Sequence, residues 1–343
     1  MFRQLRILLY PFSVIYGVIT LIRNFLFEIG AFHSYKIPVK SICVGNLSVG
    51  GTGKTPHVMY LVNKLLGNYS IAILSRGYGR KSKGFRYVSK GDDANNVGDE
   101  PLSYVFRFRN KIIVSVCESR VFGVKKILNE QKIDLVILDD AFQHRKIKAG
   151  LNIVLTEYAN PYFNDYMLPA GNLREYRFGV ERADILIVTK CPTTIDQNDK
   201  SKFLKKINKD ARKIFFSSIK YGVPVSFSDL KYPESATVLL VAGIANPIPL
   251  VKYVETTNPI ETLFFPDHHS FGVMDIRKIH AKFDAIPTTD KVILTTEKDY
   301  MRLKDTLTEK EITKFPWFYI PIEINIDREV DFINEITNYV RAI

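Results

Sequence analysis

The sequence predicts an α/β fold: a doubly wound, mostly parallel sheet, a second and smaller α/β domain, and an apolar helix at the N-terminus. Short runs of apolar and β-branched residues alternate with helical patterns along most of the chain. These runs are apolar throughout, which is typical of parallel strands covered by helices on both faces. A Gly-rich segment also lies between the first such run and the first helical pattern.

The N-terminal segment, residues 1–33, is predicted to be a membrane-associated helix. Sixteen uncharged residues separate Arg6 from Arg23, fewer than the roughly 20 that a transmembrane helix needs, and Pro11 interrupts them. A helix lying in the membrane interface fits this length and the flanking arginines. From these residues alone, a helix packed on its own domain is equally compatible.

The first domain is predicted over residues 34–222. Its strands are the segments KSICVGN, SIAILSRG, KIIVSVCE, IDLVILDD, LNIVLTE and DILIVTK. Helical patterns occur near residues 55–67, 118–131 and 199–209. Strands and helices that alternate in this way indicate a doubly wound sheet.

A second series of elements predicts a smaller α/β domain over residues 223–343. Its strands are the segments TVLLVAGIANP, IETLFF, KVILTTEKD and WFYIPIE, and its helices lie near 247–256, 273–285 and 328–342. A cleft that this domain closes over the first would be a natural place for a donor and an acceptor to meet.

Composition limits the classes of protein to consider. The chain has 343 residues, of which 46% are hydrophobic and 24% charged, so it is neither disordered nor fibrous. Its three cysteines form no C-x-x-C pair, which disfavours a disulfide framework and a cysteine zinc site. The formal net charge of +12 favours polyanionic partners: nucleic acid, an anionic membrane surface or a phosphorylated substrate.

The segment SVGGTGKT has the features of a phosphate-binding loop, or P-loop, which predicts a P-loop NTPase-like domain. Its glycines let backbone N–H groups surround phosphate oxygens, Lys54 would reach the β- and γ-phosphates of ATP, and the Thr55 hydroxyl would ligate Mg²⁺. Ser48 stands where the strict pattern has glycine, but the flanking strand and helix supply the expected context. The residues predicted to bind the nucleotide are Ser48, Val49, Gly50, Gly51, Thr52, Gly53, Lys54 and Thr55.

Two adjacent carboxylates end a predicted buried strand. Asp139 and Asp140 follow the apolar run IDLVIL, the position at which P-loop enzymes carry the carboxylate for their metal. We therefore predict that one of the two holds Mg²⁺ directly or through water, with Thr55 as the hydroxyl ligand. The alternative is that the two aspartates lie at a solvated strand end and have no function there.

Two basic segments are candidates for contacts with anions. PAGNLREYR offers Arg174 and Arg177 as clamps for the charge that develops on a transferring phosphoryl group. SRGYGRKSKG provides a basic loop that could meet an anionic acceptor, and an exposed basic turn is its alternative. The basic residues of that loop are Arg76, Arg80, Lys81 and Lys83.

Candidates for a general base occur in two further segments. VGDEP places Asp99 and Glu100 in a predicted loop, and FPDHHSF contributes His268 and His269 after Asp267. A metal site is less favoured for the histidines because no second cluster of ligands is visible. General-base or base-orienting work suits an imidazole, which titrates near neutral pH.

These motifs together resemble the lipid A 4′-kinase family, the tetraacyldisaccharide 4′-kinases. GNLSVGGTGKTP, SRGYGR, GDEP, DDAFQH, PAGNLRE, GIANP, FPDHHSF and TEKD stand in that family's order and spacing. The resemblance covers about residues 36–300, and the apolar N-terminus is similar to the family's first helix. Ala141 and Asn172 depart from the usual glycine and proline, at positions with no side chain in the chemistry.

The resemblance implies a kinase that moves the γ-phosphate of ATP to the 4′-hydroxyl of a tetraacyldisaccharide 1-phosphate, giving lipid IVA. Lys54 and Arg174 would stabilise the transferring group, while Asp99 paired with His268 would take the proton. The TEKD segment would lie near the nucleotide. Such an enzyme would be peripheral, on the cytoplasmic face of the bacterial inner membrane, because its lipid substrate stays in the bilayer.

Two other functions remain open at this point. A P-loop NTPase switch or assembly factor at the membrane would hydrolyse ATP without lipid. A nucleic-acid-binding ATPase has only the basic charge in its favour, since no helicase-like motif or stacking pattern is present. We therefore expect a lipid substrate and a membrane surface as partners, with no nucleic acid and no obligate protein partner.

Overall fold

The computed structural model of the protein describes residues 6–207, 210, 213–267 and 269–342. Within these residues the strands are β1 (Tyr35–Lys36), β2 (Lys40–Asn46), β3 (Ile71–Ser75), β4 (Arg86–Tyr87), β5 (Ile113–Val116), β6 (Leu135–Asp139), β7 (Ile147–Lys148), β8 (Leu151–Glu157), β9 (Ile185–Thr189), β10 (Ile214–Tyr221), β11 (Val225–Ser226), β12 (Thr237–Ala242), β13 (Ile260–Phe264), β14 (Lys291–Thr296), β15 (Trp317–Ile320) and β16 (Ile322–Ile326). The α-helices are α1 (Tyr10–Glu28), α2 (Lys54–Leu65), α3 (Ala94–Val97), α4 (Asp99–Phe108), α5 (Arg120–Glu130), α6 (Gln197–Leu204), α7 (Ile248–Val254), α8 (Val273–Asp284), α9 (Glu297–Leu303), α10 (Glu309–Lys314) and α11 (Glu329–Arg341).

The larger of the two main sheets has nine strands in the order β16-β10-β9-β8-β2-β6-β3-β5-β4. Its seven central strands pair in parallel, and the edge strands β16 and β4 are antiparallel to their neighbours. The central strands are almost wholly buried because apolar side chains cover both faces. The predicted doubly wound sheet is confirmed, and its parallel order brings the carboxyl ends of β2 and β6 side by side.

The smaller sheet has five strands in the order β11-β15-β14-β12-β13. Four of them pair in parallel, and β11 adds an antiparallel edge. Helix α9 begins at Glu297 directly after β14, because the Thr296 side chain accepts a hydrogen bond from the backbone N–H of Asp299 and caps the helix. The TEKD segment therefore forms the start of a helix at the carboxyl end of the middle strand of this sheet.

The C-terminal segment joins the larger sheet, which differs from the predicted division at residue 222. We expected WFYIPIE to be one strand of the second domain, but Pro321 separates β15 from β16 because proline has no N–H to donate. Strand β16 then pairs with β10, and Phe332 and Ile336 of α11 are fully buried in the core of the first domain. The smaller sheet is thus inserted between two parts of the first domain.

Helix α1 is continuous, contrary to the expected interruption at Pro11. Pro11 lies in the first turn of α1, where its missing N–H costs no intrahelical hydrogen bond. Together with the preceding 3₁₀ turn, the helical segment Arg6–Glu28 has 23 residues and is long and apolar enough to cross a membrane. Length and composition alone therefore permit a span as well as an interfacial position.

Candidate active site

The P-loop connects β2 to α2 and has the conformation that its glycines allow. Gly50 and Gly53 have φ angles of 110° and 89°, in the region that side chains disfavour. The Thr52 hydroxyl accepts a hydrogen bond from Asn46 Nδ2 at 3.0 Å, and the Thr52 carbonyl accepts one from Thr189 Oγ1 at 2.9 Å. The segment 49–51 stays exposed, which leaves room for phosphates at this loop, and the Val49 N–H donates to the Asn172 carbonyl at 2.8 Å.

A buried histidine braces the start of α2 and was not among the predicted site residues. His57 Nδ1 lies 2.7 Å from the Gly53 carbonyl, and Nε2 lies 2.9 Å from Ser217 Oγ on β10. Burial lowers the pKa of His57 to about 4, so the ring is neutral near pH 7. One ring nitrogen therefore donates to Gly53 and the other accepts from Ser217, which ties the P-loop to β10.

Two cations converge on one carboxylate beside the P-loop. Arg174 contacts Asp140 through both terminal nitrogens, with Nη2 2.7 Å from Oδ1 and Nη1 3.2 Å from Oδ2. Lys54 Nζ lies 3.7 Å from Asp140 Oδ2 and 3.4 Å from Asn46 Oδ1, which also accepts a hydrogen bond from Arg174. Sequence analysis missed Asn46, although it ends the strand that leads into the P-loop.

The electrostatics of Asp140 follow from this arrangement. Burial alone would raise its pKa, but Lys54 and then Arg174 outweigh that effect and hold the pKa below its ordinary value. Asp140 also has a φ of 49°, an uncommon backbone conformation for aspartate. The carboxylate is therefore ionised, and its charge stabilises the two cations at the mouth of the P-loop.

Asp139 has a different environment although it is the adjacent residue. Its side chain is fully buried, and among the described residues neither carboxylate oxygen makes a hydrogen bond of ordinary geometry, although the hydroxyls of Ser75 and Tyr104 lie nearby. Burial and then Asp140 raise its pKa. An unsatisfied buried carboxylate is costly, and a bound cation would satisfy it.

These observations fit a magnesium site in which the protein supplies few ligands. The described residues contain no group of three or more His, Cys, Asp or Glu side chains able to hold a metal alone. Mg²⁺ at a nucleotide site usually keeps waters and takes one or two carboxylates together with substrate phosphates. Asp139 and the Thr55 hydroxyl are therefore suitable protein ligands.

Helix α4 brings two groups to this strand end: Glu100, which sequence analysis considered as a general base, and Tyr104, which it did not name. Burial raises the pKa of Glu100 to about 7, the carboxylates of Asp139 and Asp99 add to that effect, and Lys54 opposes it. Tyr104, one turn along, is fully buried and its pKa is raised well above the ordinary value, first by burial and then by Asp139. GDEP was expected to be a loop, but Gly98 is the N-cap residue of α4, and Asp99, Glu100 and Pro101 form its first turn.

Asp99 lies between the two sheets. Its carboxylate pairs with Arg302 of α9, and Lys298 Nζ lies 3.8 Å from the same Oδ2. Lys298 Nζ also lies 3.8 Å from Asp267 Oδ1, so the TEKD and FPDHH segments both approach Asp99. His268 lies outside the described residues, and the adjacent His269 contacts Asp275 at 3.0 Å.

Two of the predicted anion-binding arginines have other partners. Arg177 Nη2 donates to the backbone carbonyl of Asp165 at 2.9 Å, so it braces the segment between these two residues. Arg80 pairs with Glu118 at 2.5 Å, and Gly77 and Gly79 with positive φ fold its loop back on itself. Arg76 remains exposed at the end of β3.

Comparison with known proteins gives matches over nearly the whole chain. A sequence profile of the family described as tetraacyldisaccharide-1-P 4′-kinase matches residues 5–341. A protein named tetraacyldisaccharide 4′-kinase from Flavobacterium psychrophilum is 42% identical over 98% of both chains. One of the same name from Bacteroides thetaiotaomicron is 42% identical over 97% of this chain and 93% of its own. The fold is similar to a crystal structure of LpxK from Aquifex aeolicus in complex with ATP, with a TM-score of 0.75, 29% identity, and coverage of 98% of this chain and 99% of that one.

Proposed function

The chain belongs to the tetraacyldisaccharide-1-P 4′-kinase family, and from that premise we propose which of its residues carry out the reaction. The reaction is the ATP-dependent phosphorylation of the 4′-hydroxyl of a tetraacyldisaccharide 1-phosphate, a step of lipid A synthesis. The prediction of a lipid kinase is confirmed by the family match, and the alternative of an NTPase switch is not favoured.

The phosphoryl group is held by Lys54 and Arg174. This assignment rests on one observation: both cations converge on Asp140 and Asn46 at the open side of the P-loop. Their positive charges would stabilise the negative charge on the β- and γ-phosphates as the bond to the leaving group breaks. Asp140 keeps the two side chains in place.

Thr55 and Asp139 would hold Mg²⁺, and Asp140 would keep Lys54 and Arg174 in place beside it. When bound, Mg²⁺ neutralises charge between the β- and γ-phosphates. We assign direct ligation to Asp139 because among the described residues its two oxygens make no hydrogen bond of ordinary geometry, whereas those of Asp140 are engaged by Lys54 and Arg174.

Asp99 takes the proton from the sugar hydroxyl, with His268 as its partner. Asp99 is largely buried, lies on the same helical turn as Glu100, and faces the second sheet through Arg302 and Lys298. A base at this position would be desolvated when the smaller domain closes over the acceptor.

The acceptor headgroup binds in a cavity next to the metal site. The cavity has a volume of about 410 Å³, and its lining includes Arg120, His144, Lys146 and Glu118, whose charge is paired with Arg80. This volume lies within the usual range for small-molecule sites, roughly 300–1,000 Å³. Arg120 Nη2 donates to the backbone carbonyl of Asp139 at 3.4 Å, so the basic lining is continuous with the strand that ends at the metal site. A sugar carrying phosphate suits this lining.

Replacing His144 or Lys146 with alanine is expected to raise the KM for lipid several-fold and to leave the KM for ATP unchanged. Burial and then Arg120 and Arg76 lower the pKa of His144 to about 4, so at pH 7 it offers a neutral ring for hydrogen bonds with sugar hydroxyls. Steady-state kinetics with each substrate varied in turn would check this. A rise in the KM for ATP alone would place the acceptor elsewhere.

The enzyme binds the membrane through the exposed side of α1. This side carries Ile15, Ile19 and Ile22, whose side chains are 59%, 61% and 54% exposed. Exposed apolar side chains extend from Ile7, before the helix, to Phe32, after it. A contiguous exposed apolar patch is typical of a protein or membrane interaction site. We place the protein at the cytoplasmic face of the inner membrane, as a peripheral protein, where the net charge of +12 would attract anionic lipid headgroups.

Changing Ile15, Ile19 and Ile22 together to glutamine is expected to weaken binding to anionic vesicles by about tenfold or more. Each change removes apolar surface worth roughly 0.8 kcal/mol per CH₂ group from the bilayer. Vesicle co-sedimentation would measure the loss. The matched control changes three exposed apolar residues elsewhere to glutamine: Val223, Met274 and Val330. Equal vesicle binding by the two triple variants would show that α1 is only a helix of its own domain and does not bind the membrane.

The function is tested by following phosphate from labelled ATP to a tetraacyldisaccharide 1-phosphate in detergent micelles. The expected products are ADP and a disaccharide lipid phosphorylated at both ends. Simple alcohols serve as control acceptors. ADP release at the same rate with and without lipid would instead support an NTPase switch.

A further inference from the structure

The side of α1 that packs against the protein is polar. Its buried residues are Ser13, Gly17, Thr20 and Asn24, spaced three or four positions apart, while most of the apolar residues of the helix are exposed. Ordinary surface helices have the opposite arrangement. A helix that served only to enter the membrane would need no buried polar stripe, so the polar contacts of this stripe require an explanation.

Most of these contacts are made with one segment, residues 165–176, which we call the clamp loop because it carries Arg174. At the start of the helical segment, Arg6 donates to the Pro169 carbonyl at 3.0 Å and to Asn172 Oδ1 at 3.1 Å. Ser13 Oγ accepts a hydrogen bond from the backbone N–H of Ala170 at 2.9 Å. Arg6 and the first turns of α1 therefore fix residues 169–172 of the clamp loop.

Tyr16 holds the loop at the catalytic arginine itself. Its hydroxyl donates to the Arg174 carbonyl at 3.0 Å, and Gly17, the next residue, leaves room for the ring of Tyr176. The backbone N–H of Arg174 donates to the Leu47 carbonyl at 2.8 Å, next to the P-loop. The backbone of Arg174 is thus fixed between α1 on one side and the P-loop strand on the other.

Asn24 reaches the same site through a chain of hydrogen bonds. Its Nδ2 donates to Oε2 of the fully buried Glu175 at 3.0 Å, and Glu175 Oε1 accepts from Gln143 Nε2, also at 3.0 Å. Gln143 Nε2 donates in addition to the Asn46 carbonyl at 2.8 Å. Asn46 is the residue that contacts both Lys54 and Arg174, so the chain runs from α1 to the two phosphate-binding cations.

We propose that Tyr16 and Asn24 are positioning residues for phosphoryl transfer, acting through the clamp loop on Arg174. The helix that docks the enzyme on the membrane therefore also sets the geometry of its phosphate clamp. This inference rests on the function proposed above. Its physical basis is that a displacement of a catalytic group by about 1 Å can cost up to about a hundredfold in rate, without any change in charge.

The test replaces Tyr16 with phenylalanine and Asn24 with leucine and measures kinetics with micellar lipid at saturating concentrations of both substrates. Both changes make the helix more apolar, so we expect no loss of its affinity for a membrane. We expect each to lower kcat about tenfold, with the KM for lipid and vesicle binding changed by less than about twofold. Tyr253→Phe and Asn334→Leu, on α7 and α11, are the matched controls and should retain full kcat.

A double-mutant cycle separates positioning from general loss of structure. If Tyr16 acts through Arg174, adding Tyr16→Phe to Arg174→Ala should lower kcat by less than about twofold further. Losses that multiply would overturn the proposal, as would unchanged kcat in both single variants. If Asn24→Leu fails to fold, as judged by its thermal unfolding, Tyr16→Phe and the cycle still decide.

The outcomes also distinguish this inference from the function on which it rests. Wild-type protein that transfers no phosphate to lipid would refute the function. An active wild type together with fully active Tyr16→Phe and Asn24→Leu variants would leave the function intact and refute only the positioning role. A loss of vesicle binding with unchanged kcat would likewise refute the positioning role and show that α1 serves only as a membrane anchor.

Discussion

Lys54→Ala is expected to lower phosphate transfer by about two to three orders of magnitude or more while the protein stays folded. The ammonium group lies 3.7 Å from Asp140 and 3.4 Å from Asn46, in the position from which it would contact the β- and γ-phosphates. Removing one preorganised donor to a developing charge typically costs roughly 10²–10³ in rate. Single-turnover transfer from labelled ATP to micellar lipid would measure the loss.

A matched control comes from the same helix. Lys64 is on the outer side of α2, where it pairs with Glu329 at 2.8 Å and remains 40% exposed. Lys64→Ala should keep full activity because a surface ion pair contributes little to stability and is not part of the site. Equal activity of the Lys54→Ala and Lys64→Ala proteins would remove the P-loop lysine from the mechanism.

Asp99→Ala and His268→Ala are each expected to lower kcat by about two to four orders of magnitude, with ATP affinity close to normal. General-base catalysis usually contributes this much. The double variant should be little worse than the poorer single one, because two residues that act as one base cannot be lost twice. The comparison requires saturating lipid, so that weaker acceptor binding is not mistaken for lost chemistry.

The neighbouring residues of each partner supply the controls. His269 contacts Asp275, so His269→Ala should have a much smaller effect than His268→Ala.

The control for Asp99 concerns its ion pair with the buried Arg302, which would make Asp99 a structural link between the two sheets. Arg302→Met removes that link and keeps the carboxylate. A loss of kcat as large as that of Asp99→Ala would assign Asp99 a structural role, and losses that multiply in the Asp99/His268 double variant would refute the dyad.

Much of the fold was predictable because its strands are buried on both faces. Continuous apolar runs identify β2, β6, β8 and β9 from their own residues. The helix that begins at Asp99 was missed because GDEP has a glycine and a proline that favour a loop, although both are tolerated at the start of a helix. The placement of β16 was missed because one strand pattern does not specify which sheet the strand joins.

The sequence by itself determined the parts of the site in which contiguous residues act together. The P-loop from Ser48 to Thr55 and the pair Asp139 and Asp140 were predicted from the sequence because phosphate binding needs successive backbone N–H groups and a carboxylate at a strand end. Only the tertiary structure decided how the remaining groups are used. Asp139 and Asp140 are adjacent in sequence yet differ in burial and partners, and Asn24 meets Glu175 across 151 positions of the chain. Hydrogen bonds and charges act over a few ångströms, and which distant side chains come that close depends on how the elements pack.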